Sequence, residues 1–286
     1  MMRRTGGMVA CAAAALLISG CQPGLTRSVA GTGSYGNTGD SGPATSATLG
    51  WPTSVTATPG GGFSFADAVS CTIRHVDGAG IITTIAGNGT CGFSGDGGAA
   101  TAAQLDISTA FGTAWSGRLA VDGASNHYVF DTGNARIRRI DTDGTVTTFA
   151  EDDTGATRCL SGPANRGWLA ATSGGVVYMA CDWTITSVQA EGTLTPIAVT
   201  VNGSPFFGQI LGITVDADDN LYASLQVFGP LNGIYAIDPA TGVATLVTLY
   251  SSNTFSDLAR DVSGNFYPSR GPLGRSCGSR RTAPPR

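Results

Sequence analysis

The sequence predicts an all-β fold built from repeated four-stranded units, and three observations predict it. First, a 21-residue segment occurs twice without a gap. Residues 29–49 read VAGTGSYGNTGDSGPATSATL and residues 85–105 read IAGNGTCGFSGDGGAATAAQL, offset by 56 positions with eleven identities. Second, the stretch that follows each copy repeats. Residues 67–86 (DAVSCTIRHVDGAGIITTIA) align with residues 131–150 (DTGNARIRRIDTDGTVTTFA), sharing Ile73/Ile137, Arg74/Arg138, Asp77/Asp141, Gly80/Gly144, Thr83/Thr147 and Thr84/Thr148. Third, the apolar runs are short, β-branched and aromatic, and Gly, Asp and Asn divide them, which is strand-and-turn punctuation. Units recurring at a fixed spacing stack or radiate about an axis, and four short strands per unit of about 45 residues is the pattern of propeller blades. The expected fold is a β-propeller of four-stranded blades, about four to five of them present and the ring incomplete.

Residues 1–20 read as a targeting segment. Arg3 and Arg4 form a basic start, and residues 8–18 are an apolar run of Ala, Val and Leu. That run is too short to span a bilayer as a stable helix, and its small-residue end suits cleavage. Ile18-Ser19-Gly20-Cys21 resembles the bacterial lipobox, which implies Cys21 as the lipid attachment residue and residues 21–26 as a short tether. An ordinary secretion signal that happens to contain a cysteine is the alternative. Gln22 after the cysteine, rather than Asp, is compatible with transport onward to an outer membrane.

The propeller is expected over residues 27–268. Residues 26–31 read as the last strand of a blade whose first three strands are missing upstream, able to close the ring against the C-terminal blade. Within the second full unit the strands fall at residues 119–121 (LAV), 128–130 (YVF), 137–140 (IRRI) and 146–149 (VTTF), separated by Asp122-Gly123, Gly133-Asn134 and Asp143-Gly144. Weaker copies follow at 178–198 and 221–247, and residues 258–267 match residues 119–128. Residues 99–105 are the one place with a helical period, worth one or two turns at most. After Tyr267 the repeat breaks into Pro, Gly, Arg and Ser. Residues 269–286 are expected to be a disordered basic tail, the kind of sequence a frameshift into a GC-rich reading frame produces; a natural basic tail is the alternative.

The segments GNGTCGFSGDGGAATAAQL, LAVDGASNHYVFDTGNARIRRID and GTVTTFA resemble NHL repeats of the bacterial and teneurin type. The resemblance is strong over residues 27–150 and loose over residues 169–267. It implies a propeller and leaves the task open, because function resides in sites grafted on folds. Departures are visible. The third unit has Cys181-Asp182-Trp183 where the second has Asp131-Thr132-Gly133-Asn134, and the fourth inserts residues 226–232.

Composition narrows the partners. All 16 basic residues are arginine. Residues 22–268 hold nine arginines and all 20 acids (9 − 20 = −11), whereas residues 269–286 hold five arginines and no acid. An acidic body argues against nucleic acid, which needs a basic stripe to replace phosphate counterions. The expected partners are the membrane, through lipid on Cys21, and a protein or glycan; the chain is expected to be a monomer in the bacterial cell envelope. In such an oxidising compartment Cys71 can pair with Cys91, and Cys159 with Cys181, leaving Cys277 over.

Catalytic constellations are thin. His75 and His127 are the only histidines, both in strands, and Glu151 and Glu191 the only glutamates. No nucleophile elbow, HExxH or phosphate-cradling loop occurs. No catalytic residue, metal site or cofactor is expected. Asp216-Ala-Asp-Asp-Asn220 lacks the glycine and distal glutamate of a calcium loop and reads as a turn between strands. In a propeller the blade-to-blade connections and the loops between second and third strands open on one face. That candidate binding face collects Asp40, Trp51, Phe93, Asp96, Asn134 and Arg136. The competing reading makes Asp40 and Asp96 turn residues whose carboxylates accept backbone N–H bonds, as their repetition favours. The expected function is a non-catalytic, envelope-anchored interaction scaffold. The alternative is a metal-dependent propeller enzyme, lactonase- or lyase-like, with its site in the central channel. Metabolic labelling with a clickable fatty acid tests the anchor: the wild-type chain takes the label and Cys21→Ser loses it, whereas equal labelling of both refutes lipidation at this cysteine.

Overall fold

A computed structural model describes residues 27–107, 118–151, 167–227, 232–250, 255–261 and 263–270. The expected targeting segment and tether (residues 1–26, with Cys21), Cys159, Cys277 and residues 271–286 lie outside the described residues.

The strands form five sheets in chain order, antiparallel throughout except for one parallel pair in the fourth. The first holds β1 (Gly42–Pro43), β2 (Pro52–Ala57), β3 (Phe63–Asp67), β4 (Thr72–Val76) and β5 (Ile81–Ala86), ordered β1-β5-β4-β3-β2. The second holds β6 (Gly98–Ala99), β7 (Leu119–Val121), β8 (His127–Asp131), β9 (Arg136–Ile140) and β10 (Thr145–Glu151), ordered β6-β10-β9-β8-β7. The third is the four-stranded β11 (Gly167–Ala171), β12 (Val177–Cys181), β13 (Thr184–Val188) and β14 (Leu194–Ile197). The fourth holds β15 (Thr200–Val201), β16 (Ser204–Pro205), β17 (Gly208–Val215), β18 (Leu221–Val227), β19 (Gly233–Ile237) and β20 (Val243–Leu249), ordered β16-β15-β20-β19-β18-β17. β21 (Phe255–Arg260) and β22 (Phe266–Arg270) form a two-stranded fifth sheet.

The sheets are propeller blades. The first strand of each meets that of the next: β2 touches β7, β7 touches β11, β11 touches β17 and β17 touches β21. These strands therefore line an axis from which the sheets radiate. No comparable contact joins β21 back to β2 among the described residues, so the fan is open. Apolar side chains fill the seams between blades. Ile73, Leu105, Val129 and Val146 lie in the first seam, Tyr128, Phe130, Met179 and Val188 in the second, and Trp168, Ile185, Ile210 and Leu225 in the third. Each buried side chain of this size contributes roughly 1.5–3 kcal/mol.

The two copies of the 21-residue segment fold alike and share most of their backbone hydrogen bonds. Each runs first to the outer edge of the blade it enters, and the second copy arrives there from β5 of the first blade. Only then does each lead into its blade's inner strand. β1 pairs with β5 through Gly42↔Ile82, and β6 pairs with β10 through Gly98↔Val146. Ala44 N–H donates to Gly80 C=O (2.8 Å) just as Ala100 N–H donates to Gly144 C=O (2.7 Å). In the fourth blade β15 meets β20 at the equivalent position, in parallel orientation. A sheet edge presents unpaired backbone groups that template aggregation, and these short strands cover part of it. A bulge also recurs in three outer strands. Ile85, Phe149 and Val247 are each skipped between paired neighbours, which bends the strand at the same point of the blade.

Two expectations need correction, and a third, the turn or two at residues 99–105, is met. Residues 27–31 form no strand, and Gly31 N–H instead donates to Ala44 C=O within the first connection (2.8 Å). The glycines there turn the segment onto its own blade, so no described N-terminal strand closes the ring. Residues 99–105 carry a single 3₁₀ turn, Ala100–Ala102, because Ala99 is committed to β6. Finally, β22 runs two residues past the expected boundary at Pro268. Ser269 and Arg270, assigned to the tail, pair with Asp257 and Phe255.

Candidate functional site

One rim of the fan is built from the blade-to-blade connections and the turns between second and third strands, and hydrogen bonds tie the two kinds of loop together. In the first blade the Asp67 carboxylate accepts from Gly50 N–H (2.7 Å) and Trp51 N–H (2.6 Å), and Ala68 N–H returns to Trp51 C=O. In the second, Asp131 accepts from Asp106 N–H (2.6 Å), and Gly133 N–H returns to Asp106 C=O (2.7 Å). Ile210 N–H likewise reaches Asp182 C=O between the third and fourth blades. The Cys71–Cys91 disulfide ties the first blade's turn to the second connection, as the sequence reading expected. Cys181 is also disulfide-bonded; its expected partner, Cys159, lies outside the described residues.

The candidate face resolves into two equivalent clusters around a buried arginine. Arg74 on β4 is fully buried, and its guanidinium donates to Asp40 (2.7 Å), Asn37 (2.7 Å) and Thr38 C=O (3.3 Å). Arg138 on β9 is equally buried. It donates to the Asp96 carboxylate, to Asp131 (3.3 Å) and to Ser94 C=O (3.2 Å), while the Thr148 hydroxyl donates to Asp96 (2.7 Å). Asp40 and Asp96 thus accept from a guanidinium, where turn N–H groups were expected. Burial pushes the Asp131 carboxyl up; bonds from Asn134 and the Asp106 N–H and the Arg138 charge only partly offset it.

The connection reaches the arginine because glycine lets it come close. Gly39 (φ +96°) and Gly95 (φ +89°) sit where a Cβ would lie 2.7 and 2.8 Å from the Ala47 and Ala103 Cα atoms. Side chains rarely adopt this backbone conformation, so the motif needs glycine twice over.

The remaining predicted residues gather on the second cluster or beside the first. Phe93 is 43% exposed, with the Arg136 guanidinium 4.1 Å and the Arg138 guanidinium 4.8 Å from its ring centre. Arg136 also pairs with Glu151 (2.9 Å). Asn134 donates to Gly92 C=O (2.9 Å) and Asp131 (2.8 Å). Trp51 presents a 38% exposed indole at the entrance of β2. The charged members of the face therefore already have partners, and its aromatic members are exposed.

Two arrangements escaped the sequence reading. In three blades an Asp at the turn between first and second strands holds the Asn four residues on and the Tyr six residues on. Tyr128 O–H donates to Asp122 (3.0 Å), Tyr222 O–H to Asp216 (3.1 Å) and Tyr267 O–H to Asp261 (2.9 Å). The recurrence of D-x-x-x-N-x-Y was the available signal. Asp216 is thus a turn residue, as expected. Burial pushes its carboxyl up, but bonds from Asn220 and Tyr222 and the Arg260 charge outweigh that and hold it below its ordinary value. The second arrangement joins His75 and His127 through Ser64, and nothing in the sequence spacing announced it. Among the described residues, the His, Cys, Asp or Glu ligand atoms that gather in threes are those of Cys71, Cys91 and Asp106, and the two sulfurs are bonded to each other. A shallow depression of about 550 Å³ lies on the opposite rim, against Tyr222, Asp238 and Thr241.

No family model matches this sequence, and no curated protein matches it. Solved structures do. A gluconolactonase from Xanthomonas campestris is 12% identical, with a TM-score of 0.51 over 80% of this chain and 75% of that one. A streptogramin B lyase is 14% identical, with a TM-score of 0.50 over 87% of this chain and 72% of that one. The chain spans 62% of the virginiamycin B lyase of Staphylococcus aureus that it also matches, at 14% identity and a TM-score of 0.48. At these identities the likeness establishes the propeller fold.

The arginine clamps give a ranked prediction. Arg138→Met strands the buried Asp131 carboxylate and costs about 3–5 kcal/mol. Asp96→Asn, at a half-exposed partner, costs less than about 1 kcal/mol. Urea unfolding of both variants measures the difference, and equal losses would show that the clamp does not hold the blade.

Proposed function

We propose that this chain is an envelope-anchored, NHL-type propeller that acts as a non-catalytic binding scaffold, held at the membrane by lipid on Cys21. Its partner is a protein or a glycan, and nucleic acid is disfavoured by the acidic body. One observation carries the reading. The aromatic side chains that stand most exposed among the described residues are Tyr35, Trp51, Phe93, Trp183 and Phe207. All five lie in blade-to-blade connections or turns between second and third strands, hence on one rim. The opposite rim is made of Asp-, Gly- and Ser-rich turns. Rigid aromatic groups on a fixed scaffold supply most of the energy of recognition. The ion pairs Asp40–Arg74 and Asp96–Arg138 bind the loops to the blades, Glu151–Arg136 joins β9 to β10, and the exposed aromatics are left as the recognition groups.

The alternative, a metal-dependent enzyme with a site in the central channel, suits the lyase and gluconolactonase names of the similar structures. Those proteins share the fold at 12–14% identity, which carries no residue role to this chain. The disulfide already engages the two sulfurs of the Cys71, Cys91 and Asp106 cluster.

Photo-crosslinking in intact envelopes tests the scaffold. A benzoylphenylalanine probe at Trp183 is expected to capture one discrete partner. A probe at Asp143, on the opposite rim, captures none. Replacing Trp51 and Phe207 by Ala weakens capture at Trp183 by about thirtyfold, the loss of a binding anchor of about 2 kcal/mol. Equal capture from both rims, or capture indifferent to Trp51 and Phe207, overturns the assignment.

A further inference from the structure

We propose that Ser64, His75 and His127 form a pH-sensitive latch across the seam between the first two blades. Ser64 on β3 is fully buried. Its hydroxyl lies 3.0 Å from His75 Nδ1 on the neighbouring β4 and 2.8 Å from His127 Nε2 on β8 of the next blade. The imidazoles meet edge to face with their centres 6.5 Å apart. Most of the rest of this seam is apolar, built from Ala66, Ile73, Leu119, Val129 and Ile140 among others, and the serine bridge crosses it beside one other polar link, Leu119 N–H to Ser54 Oγ (3.2 Å).

Ser64 has one hydroxyl hydrogen between two ring nitrogens, so it donates to one and accepts an N–H from the other. With His127 neutral and its Nε2 unprotonated, the Ser64 O–H donates to Nε2 and the Ser64 oxygen accepts from His75 Nδ1–H. Protonation turns Nε2 into a donor. The serine hydrogen must then leave that acceptor at a fully buried residue, and a buried donor without a partner is costly.

The surrounding charges do little to stabilise an imidazolium here. Asp77 acts on His75 and Asp122 on His127, and both are turn residues with other bonds to make. β2, β5 and β7 carry no charged residue. Asp67 on β3 is bonded to Gly50 and Trp51, and Arg74 on β4 to Asp40. On β9, Arg136, Arg138 and Arg139 pair with Glu151, Asp96 and Asp141, and Asp131 on β8 belongs to the Arg138 clamp. Burial, and then the neighbouring His75, lowers the His127 value to about 4, and burial lowers His75 as well. The sign follows. The unfolded chain binds the proton first, so the latch contributes its full stability above about pH 6.5. That contribution is lost as the pH falls through about 4.

Urea unfolding of the full chain between pH 7.5 and 4.5, compared with His127→Gln, tests the latch. The wild type is expected to lose about tenfold in its folded-to-unfolded ratio per pH unit below pH 6 relative to the variant, the slope of one linked proton. Hydrogen exchange in β3 and β8 quickens at pH 5 ahead of β12 and β13. If His127→Gln does not fold, the NMR titration of the His127 ring in the wild type decides instead: a midpoint near 4 supports the latch. Parallel pH profiles for wild type and variant, or a His127 midpoint near 6.5, overturn it.

Discussion

A guanidinium withdrawn from water must be given acceptors, and in the first two blades the incoming connection supplies most of them. Arg74 and Arg138 sit on third strands, fully buried, where their own sheets are made of backbone already paired. The acceptors come from the segment that precedes the blade in sequence: Asn37, Thr38 and Asp40 for one, Ser94, Gln104 and Asp96 for the other. Because breaking such a pair leaves an uncompensated buried charge, the connection is held firmly to the blade it enters. The same segment places a short strand on that blade's outer edge and apolar residues such as Ala100, Ala103 and Leu105 in its seam. A repeat that reads as a mere linker is thus a clasp.

Where the clasp is absent, the blade changes character. In the fourth blade Tyr235 stands opposite Leu246, at the positions held by Arg138 and Thr148 in the second. No carboxylate is then needed, and the outer strand shows exposed Leu246, Val247 and Leu249 in place of the threonine pair. Among the described residues, no short strand covers β14 in the third blade. The turn between first and second strands is more durable: the Asp–Tyr bond persists in the second, fourth and fifth blades. It satisfies a buried hydroxyl locally and makes no demand on neighbouring blades.

The legibility of the chain follows the range of its interactions. Strand period, turn residues and the 56-residue repeat are local, so the blades and the Cys71–Cys91 link could be read directly. The two arginines were visible as repeated residues, yet their pairing to Asp40 and Asp96 spans 34 and 42 positions and appears only when the connection folds onto its blade. The His75–Ser64–His127 bridge was opaque because it joins two blades through side chains with no shared motif. The N-terminal strand failed for a related reason: residues 27–31 resemble an outer strand, but the Gly31–Ala44 bond keeps them with their own connection.

The central claim, that the connections entering the first two blades clasp those blades' outer edges, is tested most directly by hydrogen exchange in Gly95→Val. Valine at this left-handed position places side-chain atoms against the Ala103 backbone, so the second connection must lift. The Gly97 and Ala100 amides, bonded to Val146 and Gly144, should lose protection with those of β10, while the amides between β11 and β12 keep theirs. Unchanged protection at Gly97 and Ala100, or a loss spread evenly over all blades, would contradict the account.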